Sequence, residues 1–493
     1  MTVPFAQRCG VHGAARDEAV RAVLKRVQDE NIDLVRIAWC DVHGLLRGKT
    51  VVASALVRAL ADGIGMVSTL MLKDTSDRTA LPVFRPGGTA GLSGFGQANN
   101  IVLLPDPTSY GTLPWAPGNG WLRAEPFFED GRPVLLDTRR VLQRALARLA
   151  EAGYGMRCGL EVEFHIYRRR AGSPHADPAL SNWPGPAPEV ELLHPGYALL
   201  AESGFDQCEE ALRIVMHTAQ GLGLPLSSLE VEFGPSQVEA VFDATDALTA
   251  TDAMVRFRNG VRMALARAGY HATFMCRPPF PHVMSSGWHL HQSLVRLDDG
   301  RNAFCRDAPA PGSTPRDAAH LLSDTGEHVL AGLLAHARAM AVLCTPTANG
   351  YGRFRPNALA PQLVLWGRDN RGAMLRVVGG GTDPATRIEN RIGEPAANPY
   401  LYIASQVLAG LDGLARGLRA PPATDDPYGD AAERIPTTLA DALAALQEDA
   451  VLREGLGPEL TQVFRRIKES EIARMAEAPD GDEFMRREYF ARI

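Results

Sequence analysis

Carboxylate, imidazole and guanidinium side chains recur at every second position in four separate segments of the sequence that have the character of β-strands. In the first segment, Gly159–His165, Glu161 and Glu163 are two positions apart. Because successive side chains of a strand point to opposite faces, both carboxylates share one face. Two neighbouring acids are also common on surface strands, so this segment alone leaves both a metal site and a solvated face open.

The second segment carries acids on both sides of a Gly-Pro turn. Glu230 and Glu232 precede the turn, and Glu239 follows it. Such a turn could fold the outer carboxylates back toward a common point. A solvated turn is the alternative, and the spacing by itself does not decide between them.

The third segment places His289, His291 and Ser293 on one face of a strand whose other face, including Trp288, is apolar. Neutral imidazole is a ready metal ligand or a donor to phosphate. A lone histidine is more often structural. Three polar groups within an apolar strand would lack partners unless a ligand or ion lay nearby, which favours a functional interpretation.

The fourth segment alternates Arg387, Glu389 and Arg391, with Arg371 and Arg376 shortly upstream. A surface ladder of ion pairs would explain the alternation and would contribute little to stability. Beside a cluster of carboxylates and imidazoles, however, several guanidiniums are what a site needs to neutralise a phosphoryl group during transfer.

Taken together, the candidate ligands are rich in oxygen and poor in nitrogen, which favours Mg2+ or Mn2+ over Zn2+. Divalent cations that clamp nucleotide phosphates, together with arginines that offset developing charge, fit a phosphoryl-transfer site. The sequence contains no GxxxxGK[ST] motif and no convincing dinucleotide fingerprint. A P-loop or Rossmann site is therefore not expected.

The length, composition and net charge of the chain exclude further classes of protein. With 493 residues, 45% of them hydrophobic and 22% charged, the chain can build a large core and more than one domain. A net charge of -6 argues against nucleic acid and membrane surfaces as partners. Seven scattered cysteines without a CxxC pair indicate reduced thiols. Neither a signal peptide pattern nor a run of about 18 apolar residues is present, so we expect a cytoplasmic location.

The elements that must position these residues follow from periodicity. Apolar spacing predicts a helix over Arg16–Asn31, a strand over Leu34–Trp39 and a long helix over Asp317–Leu343. Further helices are expected around Val141–Leu149 and near the C-terminus. A Pro- and Gly-rich passage from residue 74 places a domain boundary near residue 120. The pattern predicts a small N-terminal domain followed by a large α+β domain with a helical C-terminal part.

In order along the chain, these segments resemble the motifs of the glutamine synthetase superfamily, from about Asp41 to the C-terminal helices. The ordered set is far more specific than any one motif. It comprises Asp41–Lys49, the strand with Glu161 and Glu163, EFGPSQVE around Glu232, GWHLHQS around His289, Asn349–Pro356, WGRDNR around Arg371, and RIENR followed by Pro395–Tyr400.

The resemblance implies an α+β fold with a small N-terminal β-grasp-like domain over residues 16–120. A large catalytic domain of the glutamine synthetase type would follow over residues 121–493, with a curved antiparallel sheet and flanking helices. It also implies Mg2+ or Mn2+, roughly two to three ions per active site, and ATP as co-substrate. Family members form rings of six subunits that often stack in pairs, with active sites between subunits. The implied assembly is therefore a hexamer or a dodecamer.

The resemblance also implies roles for matching positions. One metal ion, nearer the substrate, would be held by Glu163, Glu232 and Glu239; a second, among the nucleotide phosphates, by Glu161, His289 and Glu389. Groups on the nucleotide side would be His291, Ser293, Arg371, Arg376 and Arg387. Glutamate carboxylates would be recognised by Arg353 and Arg391, because the guanidinium fork binds a carboxylate at two points.

The implied reaction has two stages. The γ-carboxylate of glutamate takes the γ-phosphoryl group of ATP, and an amine then displaces phosphate. Arg371 and Glu389 would assist this chemistry, and Asp41, contributed by the adjoining subunit, would take the proton that the amine loses. An ordinary turn residue beside Gly44 is the alternative for Asp41.

One position departs from the family pattern. True glutamine synthetases carry a glutamate that helps to form the ammonium pocket, where this chain has Leu359. A leucine cannot neutralise an ammonium ion. Met284, Trp288, Phe354 and Leu359 would give the amine side an apolar surface if they line it, although any of them could belong to the core.

The motifs around Arg353 and Arg371 resemble the polyamine, ethanolamine and anilide branches of the superfamily. No acidic cluster is evident for the distal ammonium of a polyamine, which favours a monoamine or arylamine. An ammonia-using glutamine synthetase and a non-catalytic structural or regulatory member are the alternatives.

Overall fold

The protein, represented by a computed structural model, is described over residues 3–89, 91–172, 177–355, 359–429 and 431–493. The helices in these ranges are α1 (Phe5–Arg8), α2 (Ala14–Asp29), α3 (Leu56–Asp62), α4 (Thr138–Glu151), α5 (Glu202–Gly221), α6 (Ala247–Arg267), α7 (Ala318–Leu321), α8 (Asp324–Ala335), α9 (Ala337–Cys344), α10 (Pro399–Arg416), α11 (Leu439–Glu448), α12 (Ala450–Leu456), α13 (Pro458–Glu477) and α14 (Gly481–Met485).

The strands in these ranges form two sheets. They are β1 (Leu34–Cys40), β2 (Leu46–Val52), β3 (Ile64–Val67), β4 (Asn100–Pro105), β5 (Gly111–Thr112), β6 (Asn119–Phe128), β7 (Tyr154–Arg169), β8 (Val190–Leu192), β9 (Leu226–Val231), β10 (Gln237–Asp246), β11 (Tyr270–Thr273), β12 (Trp288–Arg296), β13 (Trp366–Arg368), β14 (Leu375–Val378) and β15 (Arg387–Asn390).

The first sheet has the order β2-β1-β6-β4-β3, with β5 added on β6. Strand β6 pairs in parallel with β1 and antiparallel with β4. The predicted boundary at residue 120 therefore falls inside a strand of this sheet, which continues to Phe128. Residues before 16 belong to the same unit, because Phe5 packs edge-on against Phe127 with ring centroids 6.4 Å apart. The division into two domains itself remains a prediction.

The second sheet has the order β13-β14-β15-β12-β7-β10-β9, with β8 and β11 also paired to β7. Its pairs are antiparallel except for β13 with β14. The register places Glu239 opposite Glu163, His289 opposite Glu161, and His291 opposite Glu389. Residues that are distant in the sequence thus meet on adjacent strands.

Several of the predicted helices begin near the positions that the sequence indicates. Helix α2 and strand β1 match their predicted positions, and α4 begins after Asp137, whose side chain accepts from the Arg139 amide. The single long helix predicted over Asp317–Leu343 is wrong. The Ser323 side chain caps a new helix by accepting from the Gly326 amide, and α8 and α9 meet at a 76° bend.

Apolar helices surround the second sheet. Along α10, consecutive residues from Pro399 to Gly410 are buried, so this helix forms the centre of the helical layer. A Cβ at Gly332 of α8 would clash with the Ala409 carbonyl oxygen of α10, so the lack of a side chain there lets the two helices pack closely. Within the described ranges, no single helix is long and apolar enough to cross a membrane. The bent pair of α8 and α9, taken together, has sufficient length and apolar composition, and these are the only two criteria that it meets.

Candidate active site

Six of the side chains that the sequence singled out converge on one face of the second sheet. His289 is central: its Nδ1 lies 3.4 Å from Glu161 Oε2 and 3.9 Å from Glu389 Oε1, and its Nε2 lies 3.8 Å from Glu163 Oε1. His291 Nε2 lies 2.9 Å from Glu161 Oε1. Strand order β15-β12-β7-β10 brings these groups together because each strand contributes its polar face to the same side.

Three carboxylates crowd together at the β7–β10 side of this cluster. Burial, reinforced by the negative charge of Glu232, raises the pKa of Glu163 above its ordinary value. Burial together with the charges of Glu163 and Glu232 raises the pKa of Glu239 still further. Glu239 Oε1 is buried and has no hydrogen-bond partner among the described residues. Like charges held this close, with one carboxylate oxygen lacking a partner, call for a cation.

The other side of the cluster has the opposite electrostatic character. Burial disfavours the ionised form of Glu161, but hydrogen bonds from His289 and His291 outweigh it and hold the pKa of Glu161 far below its usual range. Burial likewise opposes ionisation of Glu389, and the attraction of His289 and Arg391 prevails and lowers its pKa. Burial and the nearby Arg391 lower the pKa of His289 to about 4. His289 is thus neutral at pH 7, the form that binds metals.

Among the described residues, two groups of ligand atoms are compact enough for a metal ion. Glu161, Glu239 and His289 form one group and Glu161, His291 and Glu389 the other, with the ligand atoms of each within 4.8 Å of one another. An oxygen-rich set with one imidazole fits Mg2+ or Mn2+. This grouping differs from the predicted one, because His291 lies among the candidate ligands. Glu163 and Glu232 lie beside the first group.

Hydrogen bonds from neighbouring groups orient Glu163, and sequence reasoning missed these groups. Glu163 Oε2 accepts from Gln237 Nε2 at 3.0 Å and from the Gly287 amide at 2.9 Å. Position 287 requires glycine because neighbouring side chains approach its backbone closely. A Cβ there would meet Arg353 Nη2 at 2.6 Å and His289 Nε2 at 2.9 Å. Gln237 lies within the EFGPSQVE segment, so its spacing from Glu232 and Glu239 was the available signal.

Arg353, Arg376 and Arg391 border the cluster. Arg353 is buried; its Nη1 donates to the Arg391 carbonyl at 2.7 Å, and its Nη2 lies 3.3 Å from His289 Nε2. Arg391 is buried too and pairs with Glu389. Arg376 Nη1 lies 3.0 Å from Glu389 Oε2. Arg391 Nε has no hydrogen-bond partner among the described residues, so the site retains donor capacity for an anion.

Arg371 makes no described contact with the cluster. It is exposed in the turn between β13 and β14, and no hydrogen bond joins its side chain to any described residue. Its predicted catalytic and nucleotide roles have no support in a single chain, because the turn directs the side chain to solvent. Those roles remain predictions.

A cavity of about 1020 Å3 adjoins the cluster. Its walls include Glu161 and His291 together with Ser293 and Arg387, which the sequence assigned to the nucleotide side. Arg387 Nε donates to His291 Nδ1 at 2.9 Å and thereby fixes the orientation of that ring. Arg157 and Arg306 add positive charge to the same walls. A cavity of this size with basic walls beside a metal site suits a nucleotide with its phosphates.

Asp41 lies in the loop between β1 and β2 and makes no described contact with the cluster. Its carboxylate is 2% exposed. Oδ1 accepts from the amides of His43 and Leu45, each at 2.9 Å, and Oδ2 lies 2.6 Å from Arg47 Nε. The Asp41 carbonyl accepts from Asn398 Nδ2 at 2.9 Å, which docks this loop on the start of α10. In one chain, the carboxylate is therefore enclosed by its own loop.

The four apolar candidates for the amine side separate into different environments. Trp288 is fully buried and packs edge-on against Tyr402 at 4.9 Å between ring centroids, so it belongs to the core. Phe354 is partly buried against the core. Met284 packs against Gly234 in the Gly-Pro turn.

Leu359 is 62% exposed, and its carbonyl accepts from Arg391 Nη2 at 3.2 Å. Pro356 and Asn357 of the preceding motif lie outside the described residues. Leu359 therefore borders the site through its backbone and presents its side chain to solvent.

An aromatic pair beside Glu232 was also missed. Phe233 and Tyr197 are 43% and 52% exposed, and their rings meet edge-on with centroids 5.5 Å apart. The Tyr197 hydroxyl donates to the His282 carbonyl at 2.6 Å. Phe233 lies in the same segment as Glu232 and Glu239, which was a usable signal, whereas nothing in the sequence placed Tyr197 beside it.

Comparison with known proteins identifies a family. Residues 135–487 match the family described as "Glutamine synthetase, catalytic domain". A gamma-glutamylanilide synthase from an Acinetobacter species is 36% identical over 471 residues, covering 94% of this chain and 91% of that protein. A gamma-glutamylethanolamide synthetase from Streptomyces coelicolor is 32% identical over 444 residues, covering 90% and 89%. A glutamine synthetase from Thermus thermophilus is 31% identical, covering 91% and 94%.

Solved structures agree with this similarity. A GmaS/ADP complex has a TM-score of 0.75 and 28% identity, and the alignment covers 94% of this chain and 98% of that one. Apo GmaS without ligand has a TM-score of 0.74 at the same identity, covering 93% and 97%. The match spans both sheets and nearly the full length of each chain.

Proposed function

The chain belongs to the glutamine synthetase family and is an ATP-dependent ligase, and we propose that it forms a γ-glutamyl amide from glutamate and an organic amine. The observation that carries this proposal is the cluster of Glu161, Glu163, Glu239, His289 and Glu389 on adjacent strands, bordered by buried arginines and a basic cavity. A carboxylate is a poor electrophile, so amide formation requires its activation, and these groups suit phosphoryl transfer to it.

The proposed roles follow the geometry. Glu161, Glu239, His289, His291 and Glu389 would hold Mg2+ or Mn2+, with Glu163 and Glu232 beside them. When bound, these ions offset the negative charge of the nucleotide phosphates.

The arginines have two proposed roles, recognition of carboxylates and neutralisation of phosphoryl charge. Arg353 and Arg391 present guanidiniums to the carboxylates of glutamate, and Arg391 Nε is available as a donor. Arg376 and Arg387 offset the charge that develops as the γ-phosphoryl group passes from ATP to the γ-carboxylate. A solved relative described as a complex with ADP supports a nucleotide in the adjoining cavity.

The amine is proposed to be a monoamine with an alkyl or aryl body. Leu359 supplies no charge for an ammonium ion, and Phe233, which directly follows Glu232 in the sequence, forms an exposed aromatic pair with Tyr197. Burying about 100 Å2 of an amine's apolar surface would contribute on the order of 2.5 kcal/mol. Two relatives named for anilide and ethanolamide synthesis support an organic acceptor.

Asp41 is proposed to take the proton from the amine, acting on the site of an adjoining subunit. Its enclosure by its own loop and its separation from the cluster in one chain are consistent with a role that needs a second copy. Action as a base would require its ion pair with Arg47 to open. A ring of subunits, single or stacked, would supply this arrangement. A cytoplasmic location, where ATP is available, is part of this proposal.

An amine panel tests this function. The purified enzyme is incubated with glutamate, ATP, Mg2+ and one amine at a time, namely ammonia, ethylamine, ethanolamine, aniline or putrescine. Phosphate release and the mass of the γ-glutamyl product are both measured. We expect a monoamine to give the highest kcat/KM. Preference for ammonia would identify an ordinary glutamine synthetase, and no turnover with any amine would favour a non-catalytic assembly.

Substitution at Leu359 tests the basis of the amine assignment. Leu359→Glu introduces the missing carboxylate and should raise kcat/KM for ammonia relative to the best organic amine, by roughly tenfold. The matched control Leu359→Met preserves an apolar side chain of similar size and should leave the ratio unchanged. An unchanged ratio in Leu359→Glu would show that this position does not face the amine.

A further inference from the structure

A second cavity, of about 410 Å3, lies between the first sheet and helix α6, and it is distinct from the candidate active site. Its walls come from β1, β2 and β6 on one side and from α6 and the end of β7 on the other. None of the described residues that line it is acidic. Six of them are basic: Arg36, Arg47, Lys49, Arg169, Arg256 and Arg262.

The cations of this cavity are largely unpaired. Only Arg47 forms ion pairs, with Asp41 and Asp77; the other five have no carboxylate within 4 Å among the described residues. Arg36 Nε instead donates to the Asn119 side chain at 3.3 Å, and Arg256 Nη1 to the Leu222 carbonyl at 3.2 Å. Neutral acceptors of this kind satisfy hydrogen bonds but do not offset charge.

Arg262 shows most clearly that positive charge in this cavity is not offset by negative charge. Its one described side-chain hydrogen bond is a long one of 3.5 Å, from Nη2 to the Ala491 carbonyl. Burial, followed by the positive charges of Arg258, Arg492 and Arg169, lowers its pKa to about 10. The three charged groups that lower the pKa of Arg262 are all cations, an arrangement that costs stability unless an anion offsets it.

Two buried donors in the same walls also lack acceptors. Arg169 Nε and Trp115 Nε1 are buried and have no hydrogen-bond partner among the described residues. Trp115 packs on α6 at Gly260, where a Cβ would meet its ring at 3.0 Å. Buried N–H groups are rarely left unpaired in folded proteins, so two in one basic cavity indicate an absent acceptor.

The cavity also offers an apolar surface between its cations. Trp115, Trp121, Leu113 and Met263 contribute to the walls, and the Arg256 guanidinium stacks 5.1 Å from the centroid of the Trp121 ring. A volume of about 410 Å3 admits a molecule of several heavy atoms rather than a single ion.

From these observations we propose that the cavity between the first sheet and α6 binds a small organic dianion, whose acidic groups meet Arg36, Arg169 and Arg262. The shared chemistry is a compact molecule with two carboxylates or a phosphate on a short carbon body. The Trp115 N–H donates to it, and the tryptophan rings cover its apolar part.

Thermal unfolding of the full-length protein tests this site. Succinate and inorganic phosphate, at millimolar concentration, are the two probes, and chloride at equal ionic strength is the reference. We expect at least one probe to raise the unfolding midpoint of the parent protein by several degrees, as mass action requires for a ligand of the folded state. No probe-specific rise in the parent protein would overturn the proposal.

The variant Arg262→Met should change two measured quantities, the unfolding midpoint in chloride and the additional rise given by the probe. Removing one of several crowded cations should raise the midpoint above that of the parent in chloride, and it should abolish the additional rise given by the probe. A purely structural arginine would give a lower midpoint in chloride instead. Arg169→Gln provides an independent variant with the same expected loss of the probe effect, should Arg262→Met fail to fold.

Two control variants show where the probe binds. Arg376→Met removes a cation of the candidate active site, and Arg465→Met removes one on the surface of α13; both should keep the rise given by the probe. Loss of the rise in Arg376→Met, with retention in Arg262→Met, would place the anion at the active site and overturn the proposal. A changed oligomeric state of Arg262→Met without any probe effect would show that a neighbouring copy supplies the negative charge, which also overturns it.

Discussion

Two regions of this molecule hold like charges together, and they have opposite sign. On the face of the second sheet, the carboxylates of Glu163, Glu232 and Glu239 crowd together, and one oxygen of Glu239 has no hydrogen-bond partner. Between the first sheet and α6, the guanidiniums of Arg169 and Arg262 crowd together, with unpaired donors beside them. Each region is electrostatically incomplete without a ligand of opposite charge.

The difference between the regions lies in how their charges are held. The acidic region is built on strands whose side chains are fixed by register and by groups such as Gln237 and Gly287. The basic region gathers long arginines from elements of both sheets and from a helix. Fixed, short carboxylates suit a metal ion with strict geometry, whereas flexible arginines suit an organic anion of less defined shape.

The largest expected effect comes from Glu239→Gln, which removes a charge from the acidic region. The amide cannot replace the carboxylate as a metal ligand, so kcat should fall by at least about a hundredfold. In the metal-free protein, the same change should raise the unfolding midpoint, because it relieves repulsion from Glu163 and Glu232. Steady-state kinetics and calorimetry with EDTA check the two effects. A fall in both activity and metal-free stability would contradict the account of crowded charge.

The dependence of stability on pH also tests whether carboxylates crowd together in the acidic region. The folded-state pKa values of Glu163 and Glu239 are raised above the ordinary 4.5, so the folded protein retains protons that the unfolded chain loses. The metal-free protein should therefore be most stable below about pH 4.5 with respect to these groups, and should lose roughly 2 kcal/mol or more as the pH rises to 8.

Saturating Mg2+ should remove most of this loss, because the ion favours the ionised carboxylates. Denaturant unfolding at several pH values, with EDTA or with Mg2+, measures the difference. Parallel pH profiles in the two conditions would show that the carboxylates do not bind the ion.

Gly287→Ala tests how strictly the acidic region is positioned. A Cβ would meet Arg353 Nη2 at 2.6 Å and displace either that guanidinium or His289. We expect KM for glutamate to rise by about tenfold or more, with a smaller change in stability. Gly65→Ala is a suitable control, since a Cβ there has no atom within 4 Å. Equal kinetic effects in the two variants would indicate a general loss of structure.

The smallest expected effect belongs to the basic region. Trp115→Phe removes a buried N–H that has no partner, so without an added anion the free energy of unfolding should stay within about 1 kcal/mol of the parent, or rise. Trp366→Phe is the matched control, because its N–H donates to the Pro421 carbonyl at 2.7 Å and its loss should cost about 1 kcal/mol or more. Similar losses in both variants would indicate that Trp115 has an acceptor in the folded protein.

Local patterns allowed much of the fold to be predicted. The helix α2, the strand β1 and the cap of α4 by Asp137 follow from spacing and from the chemistry of one side chain. The break between α8 and α9 did not follow, because His336 is held between Asp412 and Asp449, which lie far along the chain. The position of residue 120 inside β6 did not follow from the sequence either, since β6 joins the first sheet only through its pairing with β1 and β4.

For the site, the alternation of Glu161 with Glu163 and of His289 with His291 determined which side chains share a face, because the period of a strand is a local property. The sequence by itself therefore determined the kind of chemistry and most of the groups that could perform it. Only the tertiary structure decided which strands are neighbours, that Trp288 belongs to the core, and that Leu359 and Arg371 are exposed. It also brought Arg36, Arg169 and Arg262 together around a cavity. Strand order and packing depend on contacts between residues distant in the chain, and no local pattern encodes them.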